Sequence, residues 1–251
     1  MKVLVKIGSV GYYAAAIKIQ NILVSLITAL GAVMLPKISY ALKNEGREHF
    51  ENMIRKSFEF IIISAIPMCF LVIILSKEII LVLAGKDYFP AIPMLQFLMP
   101  SLIFIGLSSV TAWQLLIPLG KEKYTVIGAL AGVIVNLGLN SLMIPAWGGV
   151  GAAIASTLAE LAVLSVHLKA LKEIVSRTFE KRELLIAILS TFITSGVVLV
   201  VKYNILVKAA FFACVVYGSV FVGVYGVSLL LFKEKLANET LERLKAMVIR
   251  R

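Results

Sequence analysis

Long apolar segments alternate with short polar connections along most of the chain. Seven segments stay apolar over about 18 residues or more, the length that a helix needs to cross a membrane. They are residues 11–35, 57–76, 93–119, 124–144, 149–168, 184–201 and 209–232. Because a span must satisfy its own backbone hydrogen bonds, each is predicted as a helix. The pattern predicts an all-α, polytopic membrane bundle of about seven transmembrane helices.

Composition supports a membrane protein over a soluble one. The 251 residues are 60% hydrophobic and only 16% charged, against about 45–50% and about 25% in soluble domains. The two cysteines, Cys69 and Cys214, both lie in apolar runs. Neither fits a zinc or disulfide spacing. No cofactor, metal site or catalytic group is therefore expected, and the chain is not predicted to be an enzyme.

The net charge of +11 follows the connections between spans. Residues 36–57, 120–123, 169–183 and 233–251 hold 18 of the 25 Lys and Arg residues. Basic connections lie on the cytoplasmic side, so the C-terminus is expected inside and the N-terminus outside. The charge is thus a topology signal, aided by anionic lipids, and no nucleic-acid partner is predicted.

Three regions follow from this topology. Residues 1–10 are predicted as an external stub, 11–232 as the transmembrane bundle and 233–251 as a cytoplasmic amphipathic tail on the membrane surface. The apolar positions of the tail recur at helical spacing at Leu236, Leu241, Leu244 and Val248. An odd number of spans with an external start predicts that the N-terminal part of a larger transporter is missing.

Polar side chains form stripes within several spans. Lys18, Asn21 and Ser25 share one face of the first span, because they lie at i, i+3 and i+7. Gly128, Gly132, Asn136 and Asn140 in the fourth span recur every four residues, as do Gly148, Ala152, Ser156 and Glu160 in the fifth. We expect the inward-facing members to line a substrate cavity. These candidates are Lys18, Asn21, Ser25, Gln114, Asn136, Asn140 and Glu160.

A structural interpretation competes with the binding role at each stripe. Small residues every four positions let helices approach closely, and amides join them by hydrogen bonds, which is the favoured interpretation of Asn136 and Asn140. Lys18 either serves a cavity or extends to the interface. Glu160, near the bilayer middle, is expected to face a cavity, pair with a cation or be protonated. His167 and His49 are predicted to be interfacial.

Three segments resemble a known family and occur in its order. They are "VGYYAAAIKIQNILVSLITALGAVMLPKIS", "YFPAIPMLQFLMPSLIFIGLSS" and "GKEKYTVIGALAGVIVNLGLNSLMIPAWGGVGAAIASTLAE". From about Gly11 onward the chain resembles the C-terminal half of polysaccharide and oligosaccharide flippases. Their superfamily also contains the multidrug and toxic-compound extrusion (MATE) proteins and the lipid II flippases.

The resemblance implies one lobe of a MATE-like fold with twelve to fourteen helices in two lobes. It implies transport of an undecaprenyl-diphosphate-linked oligosaccharide across the bacterial cytoplasmic membrane in surface polysaccharide biosynthesis, such as lipopolysaccharide or capsule export. The lobes would rock against each other, and Lys18 would meet the diphosphate. The implied partners are this lipid, membrane lipids and a missing N-terminal lobe or second chain.

Other functions stay open on the residues alone. A multidrug exporter of the same fold and an inactive half acting as a membrane scaffold both fit the spans. A membrane glycosyltransferase would want catalytic groups in a sizeable loop, whereas the longest external connection carries only Glu78 and Asp87 as acids. A retinal-binding receptor would want a lysine in the last span, and residues 209–232 contain none.

Overall fold

The computed structural model describes residues 2–235, 237, 238 and 242, and no strand occurs among them. This confirms the all-α class. The helices are α1 (Lys2–Asn44), α2 (Arg47–Ile74), α3 (Ser76–Leu83), α4 (Ala91–Leu98), α5 (Ser101–Ser109), α6 (Lys123–Trp147), α7 (Gly149–Ala170), α8 (Lys172–Thr178), α9 (Lys181–Asn204) and α10 (Ala210–Leu231). A π-helix over Val110–Leu116, the π segment, continues α5.

Seven helical stretches in the described part of the chain are long and apolar enough to cross a membrane, which confirms the predicted number of spans. They are Ser9–Asn44, Arg47–Ile74, Ala91–Leu116, Lys123–Trp147, Gly149–Ala170, Lys181–Asn204 and Ala210–Leu231. Helix α1 also covers residues 2–10, the predicted stub. The tail positions Leu236, Leu241, Leu244 and Val248 lie outside the described residues, so the amphipathic tail stays a prediction.

The third span is not the single helix that its apolar pattern suggested. It consists of α4, α5 and the π segment, with a break at Met99 and Pro100. Proline has no N–H to donate to the preceding turn, and the chain passes the break through shorter bonds, such as Leu102 N–H to the Met99 carbonyl at 3.0 Å. A π-helix has more residues per turn than an α-helix, so the π segment changes which side chains face inward.

One end of the bundle carries the basic connections and is called the basic end. It contains the ends of α1, α7 and α10 and the starts of α2, α6 and α9. At this end Gly46, with φ of 87°, separates α1 from α2. A backbone with positive φ favours glycine, so the glycine in "NEG" fits the break between the two helices.

Packing in the bundle is concentrated in apolar clusters at both ends. Toward the basic end Phe50, Ile54, Phe58 and Ile61 of α2 pack with residues of α1, α5 and the π segment. Toward the other end Ile19 of α1 packs with residues of α2, α3, α4 and α7. A third cluster joins α9 and α10 to the end of α2.

Helices α6 and α7 form a tight hairpin around Gly148, which has φ of 56°. The buried residues of α6 are the glycines Gly128 and Gly132. A Cβ atom on Gly132 would lie 2.7 Å from Cγ2 of Val163 on α7, closer than packed atoms approach. The four-residue glycine spacing therefore does what the sequence predicted, which is to bring two helix backbones together.

Candidate functional site

A chain of hydrogen bonds runs between α1, α6 and α7. The Tyr13 hydroxyl lies 2.8 Å from Oγ of Ser156, and Asn136 Nδ2 donates to the same oxygen at 3.4 Å. Asn140 Nδ2 donates to Asn136 Oδ1 at 2.8 Å. Asn136 therefore joins α6 to α7, as the structural interpretation expected, whereas Asn140 bonds to Asn136 within α6. Tyr13 was not anticipated, because its aromatic ring gave no polar signal in the sequence.

The α6–α7 hairpin carries a groove of about 420 Å³ on the same side. Its polar lining comes from Asn136, Ser156 and Glu160, and Gly132 and Val163 lie beside them. Three of the seven candidate site residues thus come together here, since Asn140 is bonded to Asn136. Whether they bind substrate stays a prediction.

Glu160 also borders a second, larger cavity of about 620 Å³ between α1, α5, the π segment, α6 and α7. Hydroxyl groups and one imidazole line the cavity between Glu160 and the basic end. These residues are Thr28, Ser108, Ser109, Thr125 and His167. Their presence places several polar groups in an otherwise apolar cavity beside a mid-membrane carboxyl group.

His167 is buried between helices in the last turn of α7, and its position at the membrane interface stays a prediction. Only 3% of the residue is exposed. Its Nδ1 lies 3.0 Å from the Thr111 hydroxyl of the π segment. On the other side the ring fits against Gly128, where a Cβ atom would lie 2.8 Å from Nε2. The missing side chain at Gly128 makes room for the imidazole, a pairing that no periodicity within one helix reveals.

The bonds of the Thr111 hydroxyl favour a proton on Nδ1 of His167. The hydroxyl lies 3.0 Å from the carbonyl oxygens of both Leu107 and Ser108, to which it donates. A hydroxyl has one hydrogen, so it accepts from Nδ1–H of the imidazole. Nε2 of the neutral ring then carries a lone pair, and this buried atom has no partner among the described residues.

Lys18 lies in a separate groove at the end of the bundle opposite the basic end. This groove, of about 600 Å³, is lined by α1 together with Leu83, Ala84 and Tyr88. Lys18 is exposed, and none of the ion pairs of the described residues includes it. The structure therefore does not bring Lys18 into the cavities beside Glu160.

The other candidates on α1 and on the π segment differ in exposure. Asn21 and Ser25 are exposed beyond Lys18 on the same face of α1. The Ser25 hydroxyl donates to the Ile22 carbonyl at 2.7 Å, so its own helix satisfies it. Gln114 is 1% exposed, and both polar atoms of its side chain lack a partner among the described residues.

Charged residues at the basic end tie α2, α9 and the segment after α10 together. Glu180 accepts from Nζ of Lys235 at 2.6 Å and lies 3.3 Å from Arg55 of α2. The hydrogen bond from Lys235 holds the pKa of Glu180 below its usual range. Arg182 pairs at 2.6 Å with Glu183, which is buried. Within the described residues, His, Cys, Asp and Glu form no group of three or more placed to hold a metal ion.

Comparison with known proteins shows which fold this is. The family profile described as lipid II flippase MurJ matches residues 3–91. The solved structure of lipid II flippase MurJ in an inward closed conformation superposes with a TM-score of 0.76 at 20% identity, over 93% of this chain and 48% of that one. The chain therefore has the helical membrane fold found in about half of that flippase.

Two curated archaeal relatives are similar over most of the chain. A probable low-salt glycan biosynthesis flippase of Haloferax volcanii is 26% identical over 75% of this chain. An uncharacterized membrane protein of Methanocaldococcus jannaschii is 22% identical over 87% of it. The matched regions are 40% and 44% of those proteins. The chain thus spans less than half the length of the curated relatives it matches.

Proposed function

We propose that this chain is one lobe of a flippase that moves an undecaprenyl-diphosphate-linked oligosaccharide across the cytoplasmic membrane in surface polysaccharide biosynthesis. The similarity to flippases named for lipid II and for glycan biosynthesis supports the proposal. The observation that carries it is the exposed Lys18 in a groove at membrane depth.

Lys18 is suited to an anionic headgroup. It lies nine residues beyond Ser9, the start of the first span, which is about 14 Å along the helix axis. A charge at this depth is costly unless it meets water or a counter-ion, and the ion pairs of the described residues leave it free. A diphosphate supplies both negative charge and strong acceptor oxygens.

The surroundings of Lys18 fit the rest of such a lipid. Ile22 and Leu83 line the groove beside the ammonium group, and they suit a polyprenyl chain. Asn21 offers an exposed amide on the same helix face, and amides donate to and accept from sugar hydroxyls. A second lobe packed against this face would enclose the groove and allow alternating access by rocking.

A multidrug exporter of the same fold is the second candidate, and an inactive scaffold is the third. Many drugs carried by such exporters are cations. The ammonium of Lys18 would repel a cation in its own groove, because like charges in a low-dielectric site are strongly unfavourable. The exposed lysine therefore favours the lipid diphosphate over a cationic drug.

Lipid binding to the full chain in nanodiscs tests the proposal. Native mass spectrometry would measure the affinities of undecaprenyl diphosphate, undecaprenol and the cationic dye ethidium. We expect binding of the diphosphate to weaken about tenfold or more in Lys18→Gln, because charge-assisted hydrogen bonds contribute about 1.5–3 kcal/mol. Lys18→Arg should keep it, and Lys86→Gln, which removes a lysine outside the spans, is the matched control.

Two outcomes would contradict the proposal. Equal affinities for undecaprenol and undecaprenyl diphosphate would mean that no diphosphate site exists. Preferential binding of ethidium would favour the drug exporter. Translocation is then measured in vesicles with a fluorescent undecaprenyl-diphosphate-linked glycan, and it should follow the same order of variants.

A further inference from the structure

Glu160 is a mid-membrane carboxyl group without a protein partner. It lies on α7, eleven residues beyond Gly149, which is about 16 Å along the axis. The described residues give it neither a hydrogen bond nor an ion pair, and its surroundings act on it through burial alone. An ionised carboxylate without a counter-charge is unfavourable in this setting unless water reaches it or a proton neutralises it.

Water has a route to Glu160 through the cavity of about 620 Å³. The cavity extends from Glu160 past Ser108 and His167 to Thr125, near the start of α6 at the basic end. His167 lies seven residues beyond Glu160 on α7, which is about 10 Å nearer the basic end. The wall therefore carries polar groups at successive levels of the inner half of the span, set among apolar residues such as Leu35 and Trp113.

Two atoms on this wall are buried and lack a protein partner within the described structure. They are Oγ of Ser108 and Nε2 of His167. His167 is 3% exposed and Ser108 is 8% exposed. Buried polar groups are nearly always hydrogen-bonded, and a cavity of about 620 Å³ beside several polar groups has room for waters. Unpartnered atoms that border such a cavity indicate that ordered water occupies it.

We propose that this cavity is a hydrated path along which a proton reaches Glu160 from the basic end, and that protonation of Glu160 is coupled to transport. The coupling part rests on the proposed flippase function. In the step itself a proton from water binds the carboxylate, and the side chain changes from an anion to a neutral acid. Nothing else is consumed.

A proton fits this site better than a metal cation. A sodium or divalent ion needs several oxygen ligands. The nearest hydroxyl on the same face of α7, Ser156 Oγ, is already bonded to Tyr13 and Asn136. The described residues contain no second carboxylate in the cavity lining and no acidic or histidine group of three placed for a metal. One carboxyl beside a hydrated path is what a proton requires.

The titratable groups on the helices around α7 decide whether Glu160 is the acid that responds to pH. The sequences of α4, α5 and the π segment contain no ionisable residue. Helix α1 contributes Tyr12, Tyr13 and Lys18 in the outer half and Lys37, Tyr40 and Lys43 toward the basic end. Helix α6 contributes Lys123 and Tyr124 at its start, α7 itself carries Lys169 in its last turn, and α8 carries charges at the basic end. His167 is the second titratable group in the cavity, and its Nδ1 lies 3.0 Å from the Thr111 hydroxyl; comparison with Glu160→Gln separates its response from that of Glu160.

Protonation of Glu160 changes the relative stability of the open and closed conformations of the bundle. An ionised Glu160 keeps the cavity hydrated, whereas a neutral acid tolerates an apolar contact. Closing the cavity is therefore easier after protonation. A ligand, here a proton, shifts an equilibrium between two states by its different affinity for them. The geometry links the charge on one side chain to the opening of the inner half of the lobe.

Accessibility to water is tested first, on the full chain with Cys69→Ser and Cys214→Ser. In this background we expect Ser108→Cys to react with a membrane-impermeant methanethiosulfonate. The matched control is Ser195→Cys, because Ser195 of α9 is 7% exposed against 8% for Ser108, and its hydroxyl also lacks a described partner, but no described cavity includes it. It should stay unreactive. Two unreactive cysteines in folded protein would overturn the hydrated path.

Protonation is tested by infrared difference spectra of the chain in nanodiscs over a pH series without sodium. A protonated-carboxyl band should respond to bulk pH and disappear in Glu160→Gln. It should persist in Glu59→Gln, a buried glutamate in α2 outside the cavity. The absence of a Glu160 band at any pH would refute the inference. A band that sodium abolishes at constant pH would replace the proton with a metal cation.

Transport measurements distinguish the proton-coupling proposal from the flippase proposal. In vesicles with the fluorescent glycan lipid, wild-type rates should change several-fold between pH 6 and pH 8, and Glu160→Gln should flatten this dependence. A wild-type rate that is measurable but independent of pH refutes the coupling and leaves the flippase. Lack of lipid binding and transport refutes the flippase, while the labelling and infrared results still decide the proton path.

Discussion

The contact between α6 and α7 is so close at Gly151 that one added methyl group should destabilise the bundle. A Cβ atom at Gly151 would overlap the carbonyl carbon and oxygen of Met143 in α6. A clash with a side chain can be relieved by a rotamer change, but here the obstacle is backbone. Gly151→Ala therefore forces the two helices apart at the turn around Gly148.

The expected size of the effect combines two opposing contributions. Overpacking a close contact costs about 1–3 kcal/mol, and the upper end applies because the obstacle at Gly151 cannot rotate away. Alanine is favoured over glycine in a helix by about 1 kcal/mol. The net loss is about 2 kcal/mol, which corresponds to a fall in Tm of about 4–8 °C for a chain of this length.

Gly138→Ala in the same hairpin is the matched control. A Cβ atom at Gly138 meets nothing within 4 Å, and its φ is not positive. Only the helix propensity then changes, so the expected result is a Tm that is unchanged or raised by about 2–4 °C. The two Gly→Ala substitutions are thus expected to act in opposite directions.

Thermal unfolding in detergent measures both variants. A thiol-reactive dye reports the exposure of Cys69, which is 2% exposed in the folded chain, in a background with Cys214→Ser. The reasoning fails if Gly151→Ala is as stable as Gly138→Ala, because the backbone contact would then be absent or easily relaxed. A loss in both variants would mean that alanine is unfavourable for reasons other than the contact.

Three further changes test the polar contacts. Tyr13→Phe removes the hydrogen bond to Ser156 and should lower the free energy of unfolding by about 1 kcal/mol, with no loss when Ser156→Ala is already present, as a double-mutant cycle in chemical denaturation would show. Gln114→Met removes a buried amide without a described partner and should raise Tm, and a lower Tm would contradict the burial of an unsatisfied group. The lowered pKa of Glu180 means that its ionised form stabilises the fold. The stability difference between wild type and Glu180→Gln should be full above the ordinary pKa of 4.5 and vanish as pH falls through the lowered value, and a difference that persists at lower pH would contradict this.

The spans could be predicted from the sequence because each one is governed by local hydropathy. The helix break at Gly46 and the glycine spacing of Gly128 and Gly132 were equally local signals. Pro100 was likewise a local signal of a kink in the third span, but the π segment was not predicted. The apolar residues of this span fill all sides of the helix, so the pattern gives no period that the π segment could disturb.

The arrangement of the candidate site depended on contacts between helices, which one helix cannot reveal. The position of His167 near the end of α7 suggested the interface, but Gly128 of α6 and Thr111 of the π segment bury it. Periodicity likewise placed Lys18 and Glu160 on polar faces without showing which neighbours those faces meet. In the structure, Lys18 and Glu160 border different cavities.

If both proposals hold, this separation gives the two halves of the bundle different roles. The groove of Lys18 and the cavity of Glu160 share no lining residue. Both border α1, whose contacts pass from Lys18 in the outer groove to Thr28 in the inner cavity, about 15 Å along the axis. A substitution at Lys18 should therefore change the affinity for the diphosphate, and one at Glu160 should change the response to pH. If α1 moves as a rigid element, each substitution should also alter the other property slightly, because allosteric coupling between two sites is reciprocal.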